Sequence, residues 1–415
     1  MRLDYLKNTS VKTITFKADK LDEYTEFYYN ACIDDEMNSS PTFKLISANG
    51  NVNVKKLYRF GERLFALGAD SILYEYENGV YDSITAKLPS EPLLCEVLHG
   101  GIPNIFVLCK NYAVIIGRKG FNPCVIPYGN AIASFNGRIF VGAEDKLYYT
   151  KEFDFEKKMF DYETIGQISF GLNDGNVVGL TTVSDYLLIV LKKALYKLTL
   201  NSELGFGLEK LDVQKLNVYK NSVKNLGDEV LFLSDGEVYS YKNGSVKRIE
   251  SKLYGLKVSP SGDAKTMGRT YYFPITRKNT EQNYVFYIDR ANSKEGIISA
   301  PKLTDGDDGY LGTNFCLYSL SLDGDVVFDD FYWESKDLTF DCACKKSVVE
   351  ISVFVSEDAT MKVFGDFGEK RFYLKKGANA KRTNLFSDSI KIQVISSSNT
   401  FALKDLQIKY RKIGE

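Results

Sequence analysis

The sequence predicts an all-β chain, a β-propeller of six or seven blades followed by a small C-terminal β-sandwich. Three observations predict it. Apolar runs of strand length alternate with turn signals along most of the chain, and helical periodicity is nearly absent. One hairpin register recurs several times. The texture of the sequence then changes once, near Phe331-Tyr-Trp-Glu-Ser-Lys336.

The recurring unit is clearest at 132–150. Asn136-Gly137 favours positive φ at both central residues of a tight turn. An apolar strand at 139–141 follows, then a turn at 142–145 and a return strand at 147–149. The same spacing runs from Val183 to Tyr196 and from Leu226 to Tyr239, with one extra residue from Phe60 to Tyr74, and more loosely from Phe315 to Phe328. Apolar strands at 105–114 and 284–288 fill the gaps. The implied period of roughly 35–50 residues is that of a four-stranded blade. A single hairpin is marginal in water, whereas radial stacking buries both faces of each sheet and protects its edges. An irregular sandwich or two unrelated β domains is the competing reading. No Trp-Asp blade signature is present, and the regular spacing favours the propeller.

In chain order, 1–50 reads as a polar, turn-rich entry segment with a strand at 11–16 and a surface loop at 32–41. Residues 51–335 read as the propeller, with 154–163 as a short helix or an excursion between blades, and charged loops at 276–282 and 290–295. Residues 336–415 read as the sandwich, with strands at 348–355, 361–364, 371–374, 389–395 and 406–410. The single tryptophan, Trp333, falls at the seam and reads first as core packing.

Composition narrows the function classes. The 53 Lys and Arg against 54 Asp and Glu leave a net charge of −1, so no global basic field holds nucleic acid non-specifically. No run approaches the roughly 18 apolar residues of a membrane span, and the first residues lack the apolar core of a secretory signal. The seven cysteines, Cys32, Cys95, Cys109, Cys124, Cys316, Cys342 and Cys344, are scattered and odd in number, as expected of reduced core thiols made in a cytoplasm.

Catalytic chemistry finds little purchase. His99, in Leu-His-Gly-Gly, is the only histidine, so any Ser-His or Cys-His pair must use it. There is no Gly-x-Ser-x-Gly elbow, Walker loop or His-Glu-x-x-His motif, and Cys342-x-Cys344 has no second pair to complete a zinc site. Acids are plentiful enough for a carboxylate glycosidase, but Ser321-Leu-Asp323-Gly-Asp325 lacks the last glycine of a sialidase Asp-box. No catalytic, cofactor-binding or metal residues are assigned, no cofactor is expected, and the chain is expected not to be an enzyme. The stretch 303–334 holds Asp305, Asp307, Asp308, Asp323, Asp325, Asp329, Asp330 and Glu334 with no Lys or Arg. As a calcium loop it fails at Gly309, where a third ligand belongs. Solvated turns or a charged interface fit better. Asp305, Asp307, Asp308, Asp329, Asp330 and Trp333 are therefore the candidate interface residues.

The order of parts resembles tailed-bacteriophage virion proteins built on a β-propeller, including tail nozzle proteins, head-closure (stabilisation) proteins and related prophage structural proteins. The resemblance runs over about residues 55–415. It lies in Ala133-Ser-Phe-Asn-Gly-Arg-Ile-Phe-Val-Gly142 with Leu147-Tyr-Tyr-Thr150, and in Leu187-Leu-Ile-Val190 with Ala194-Leu-Tyr-Lys-Leu198. It continues in Tyr332-Trp-Glu-Ser-Lys336, Val363-Phe-Gly-Asp-Phe-Gly368, Ile390-Lys-Ile-Gln-Val394 and Leu406-Gln-Ile-Lys-Tyr410. Met37-Asn-Ser-Ser-Pro41 is similar to the family's entry motif, without the Arg that follows there.

The resemblance implies a non-enzymatic structural protein. It would form part of the tail or head-tail connector as a nozzle-like ring, by homo-oligomeric assembly with other virion proteins. The ring would touch DNA only passively as it passes through a channel. The protein would be made in the host bacterial cytoplasm and reside in the virion. The alternative reading is a receptor- or glycan-binding propeller at a tail tip or cell surface, favoured by exposed aromatics clustered in a pocket.

Overall fold

The computed structural model describes residues 11–16, 25–29, 42–47, 51–99, 102–116, 122–123, 126–150, 165–201, 205–213, 215–251, 258–277, 283–300, 305–307, 310–313, 316–321, 330–340, 344–398 and 401–413. The expected helix or excursion at 154–163 lies outside them.

Blade 3 shows how local sequence becomes sheet. Asn136 and Gly137 have φ of 47° and 69°, the positive values a tight hairpin turn requires. The turn sets Phe135 opposite Arg138, and the register carries on to Ala131 opposite Gly142. Strands Lys146–Tyr149 and Gly166–Ser169 add in order to complete four antiparallel strands. The same meander forms blade 1 (54–83), blade 2 (93–123), blade 4 (177–210) and blade 5 (224–248). Blade 6 (258–300) has a split first strand: Val258–Pro260 and Lys265–Met267 both pair with Thr270–Arg277.

Blade 7 is completed by a distant part of the chain. Asp305–Asp307, Tyr310–Thr313 and Cys316–Ser321 pair in order, and Thr42–Ser47 adds outside them. Asp305–Asp307 lies beside Val54–Phe60 of blade 1, which closes the ring. Among the described residues the propeller therefore has seven blades.

The side-chain period of two explains why the central strands are apolar throughout. In Tyr186–Leu191 every residue is buried. Leu187, Ile189 and Leu191 pack toward blade 3 with Phe135 and Phe140, while Leu188 and Val190 pack toward blade 5 with Val230 and Phe232. Fully burying such a side chain is worth about 1.5–3 kcal/mol. Glycine allows the closest approach between blades: a Cβ on Gly142 would lie 2.3 Å from Val177 Cγ1.

Two further sheets face each other as the sandwich. One runs Lys12–Phe16, Leu403–Lys412, Lys346–Val355, Gly377–Ser387. The other runs Thr25–Tyr29, Phe331–Ser335, Lys391–Ser396, Ala359–Gly365, Gly368–Leu374. Their inner faces bury Phe331, Trp333, Ile351, Met361, Val394 and Ile408 among others.

This arrangement corrects two sequence boundaries. The segment 1–50 is more than an entry loop, because its strands supply both sandwich sheets and the outer strand of blade 7. The sandwich also takes Phe331–Ser335, so it does not begin at 336. The physical reason is that an edge strand shows its composition in sequence but not the distant edge it completes.

Candidate functional site

The buried charges mark where the structure has something to hold. Glu334 is 4% exposed and stands at the meeting of sandwich and blade 6. It comes from the sandwich strand Phe331–Ser335, and Arg277 from the end of the blade 6 strand Thr270–Arg277. Arg277 Nη2 donates to Glu334 Oε2 at 2.9 Å, Lys391 Nζ lies 2.5 Å from Oε1, and the Tyr332 hydroxyl donates to Oε2. Beside it Phe27 packs edge-on to Tyr284 at 4.9 Å, with the Arg277 guanidinium 4.7 Å from its ring centroid. Burial pushes the Glu334 carboxyl up, but the hydrogen bonds from Lys391 and Tyr332 and the Arg277 charge outweigh it and hold the group below its ordinary range.

A second network joins blades that are not neighbours. Lys56, on the first strand of blade 1, lies 3.2 Å from Glu91 and 3.3 Å from Asp263 of blade 6. Asn221, at the entry to blade 5, donates to Asp263 at 2.6 Å. Blade 7 lies between blades 6 and 1, so the contact ties non-neighbours together. Burial raises Asp263, and the charges of Lys56 and Lys265 more than reverse that.

Two more buried carboxylates repeat the pattern. Glu229, 2% exposed, accepts from Arg290 at 2.8 Å and from Ser240 at 2.8 Å, across the seam of blades 5 and 6. Asp174, 7% exposed, accepts from Tyr196 and Lys210, each at 2.6 Å. Each is held ionised by paired donors. Such groups fix geometry; a general acid or base needs a pKa near the working pH.

Among the sequence-assigned residues, Asp305 and Asp307 lie on the innermost strand of blade 7, opposite Gly312 and Tyr310. Asp308 and Asp329 lie outside the described residues. Asp330 is exposed just ahead of the strand Phe331–Ser335. Trp333 is fully enclosed in the sandwich core, since alternation turns it inward with Phe331, so it offers no surface to a second chain. The backbone of His99 ends the strand Leu93–His99, opposite Ile102.

Cys95 and Cys109 are buried free thiols, and burial raises both, Cys109 to about 11. Cys344 is disulfide-bonded, which corrects the expectation of reduced thiols throughout. Sequence spacing does not reveal which sulfurs the fold brings within bonding range. No group of three or more His, Cys, Asp or Glu is placed to hold a metal among the described residues, and no helix among them is long and apolar enough to cross a membrane.

Sequence reasoning missed Arg277 and Lys391. The available signal was Glu334 itself: a carboxylate inside Phe-Tyr-Trp-Glu-Ser must find cations once its strand is buried.

No family model and no curated protein matches the chain. Several solved structures are similar. The extracellular domain of a hybrid two-component system from B. thetaiotaomicron is 13% identical with a TM-score of 0.46, over 83% of this chain and 47% of that one. The chain thus spans about half the length of that domain. The Pan2 WD40 domain of Neurospora crassa is 11% identical with a TM-score of 0.44, over 69% of this chain and 97% of that one. The Cps50 (Swd1) β-propeller domain of Myceliophteria thermophila is 10% identical with a TM-score of 0.46, over 68% of this chain and 100% of that one. The propeller assignment rests on the seven sheets themselves.

Proposed function

We propose that the chain is a non-enzymatic structural protein of a tailed-phage or prophage-derived particle, one subunit of a nozzle-like ring in the tail or head-tail connector. The observation that carries the reading is the interlacing of the two domains. Lys12–Phe16 and Thr25–Tyr29 belong to the sandwich and Thr42–Ser47 to blade 7, and the chain returns to the sandwich only after all seven blades. The domains are therefore joined by a double crossing and by the Arg277–Glu334–Lys391 cluster, not by one loose tether.

That is what a ring subunit requires, since its contact surfaces must keep a fixed spacing if a heterologous interface is to close. The saturated carboxylates and the resemblance of 55–415 to phage propeller proteins support the same reading. Partners are further copies of the chain and other tail or connector proteins, with passive contact to DNA in the channel of the assembled ring. The site of action is the virion, after synthesis in the host bacterial cytoplasm.

The test is electron microscopy of purified particles with the chain identified by mass spectrometry and gold labelling. Rings of cyclic symmetry containing the chain are expected. A chain absent from particles, or present there only as isolated monomers, overturns the reading.

A further inference from the structure

The turns joining first to second and third to fourth strands gather on one face of the ring. The Lys56–Asp263 network lies toward the other, where successive blades are linked. On the first face blades 4 and 5 part around a cleft of about 480 Å³. That is within the roughly 300–1,000 Å³ typical of ligand cavities.

Tyr186 and Tyr241 line this cleft and are 9% and 1% exposed. Their hydroxyls are 2.9 Å apart, with Tyr186 donating to Tyr241. Each phenol carries one proton, so the single bond between them spends one donor of two. The remaining O–H has no acceptor among the described residues and is left for whatever enters the cleft.

Lys197 sets its ammonium 4.6 Å from the Tyr186 ring centroid and stands in register with Glu209 on the next strand. Among the described residues the two form no ion pair, and Asp185 has no cation either. Across the cleft, Asp228 is neutralised by Lys242 at 2.6 Å and Arg269 at 2.5 Å. The charged and phenolic groups left to meet a ligand are the Lys197 ammonium, the Asp185 and Glu209 carboxylates and the Tyr241 phenol, with Ser184 and Asn243 beside them on the lining.

We infer that this cleft binds a neutral, hydroxyl-rich ligand, a small saccharide by chemical class. A hydroxyl both donates and accepts, so it can satisfy Asp185 or Glu209 on one side and Lys197 or Tyr241 on the other. A polyanion meets the two carboxylates and a polycation meets Lys197, so neither is matched. The inference stands apart from the particle reading, since a ring subunit needs no such site.

Saturation-transfer NMR on the full chain tests it, with glucose, galactose, N-acetylglucosamine and their disaccharides as probes. Inorganic phosphate and spermidine serve as charged competitors. At least one saccharide should give transfer. Its Kd should rise about tenfold or more, roughly 1.4 kcal/mol, in Tyr241→Phe and in Glu209→Gln. Glu209 is exposed, so its variant keeps the test open even where loss of the Tyr241 hydroxyl disturbs folding. Circular dichroism checks the fold of both. Absence of transfer from every saccharide, wild-type affinity in the folded variants, or displacement by phosphate or spermidine overturns the proposal.

Discussion

The seams between blades and the seam between blade 6 and the sandwich are made of different materials. Between blades 3 and 4 the contact is Phe135, Phe140, Leu147, Leu187, Ile189 and Leu191, with no charge among them. Between blade 6 and the sandwich, Phe27 packs into the blade 6 apolar cluster, edge-on to Tyr284, and beside it stands a buried carboxylate held by two cations. Apolar seams derive their strength from area and shape, and each blade can use them because its strands alternate. An ionic seam gains less net stability, because desolvation offsets attraction, but a misplaced partner leaves a charge buried and alone. The blades are thus held by bulk, and the sandwich is held in one position.

The largest expected effect tests the bulk side of that contrast. Phe140 is fully buried, with ring centroids 5.8 Å from both Tyr149 and Phe206. Phe140→Ala should cost about 3–5 kcal/mol. Calorimetry should show the propeller transition lowered as a unit, because each blade supports both neighbours. An unchanged midpoint would mean that these seams are not what holds the ring.

The ionic side should respond less to mutation but more to pH. In Glu334→Ala the stranded Arg277 and Lys391 keep 21% and 28% exposure, so the loss should be at most about 3 kcal/mol, the low end for a broken buried pair. The carboxyl in the folded chain titrates below its ordinary value of 4.5. Its contribution is therefore complete above that value and is lost as pH falls through the folded pKa. Urea midpoints measured from about pH 6 to about pH 3 should fall at the acid end for the wild type. Glu334→Gln should flatten that fall. Equal slopes in the two proteins would remove Glu334 from the account of the seam.

The same contrast separates what the sequence made legible from what it hid. The blade hairpins could be read because their determinants are neighbours: Asn136-Gly137 sets the turn, and the apolar run after it reports burial on both faces. Pairing edges could not be read in that way. Thr42–Ser47 and Cys316–Ser321 carry no mark that they belong together, because periodicity records which face is buried and not which distant edge is open. The split first strand of blade 6 was hidden for a related reason, as two short segments on one partner look like loop. Arg277 sits 57 positions from Glu334, so only the buried carboxylate announced that some cation must come. The Tyr186–Tyr241 pair is likewise 55 positions apart, and neither residue stands out from the strand tyrosines around it.

The smallest effect on the fold is expected at Asp330, which sharpens the contrast from outside. It is exposed, ahead of a strand whose Phe331, Trp333, Glu334 and Ser335 are buried. Reversing a charge there removes no packing, and surface changes of this kind usually alter stability by no more than about 0.5 kcal/mol. The melting temperature of Asp330→Lys should therefore match the wild type. Under the proposed ring assembly, the variant should not be neutral if the acidic stretch faces the sandwich of a neighbouring copy, which is mildly basic with 14 Lys and Arg against 10 Asp and Glu over 337–415. Complementary fields mainly orient and accelerate association, so the variant should form rings more slowly, and added salt should narrow the difference. Light scattering at low and high salt would separate the two proteins. Identical assembly curves at low salt would leave the folded subunit as described and remove charge from the account of how copies meet.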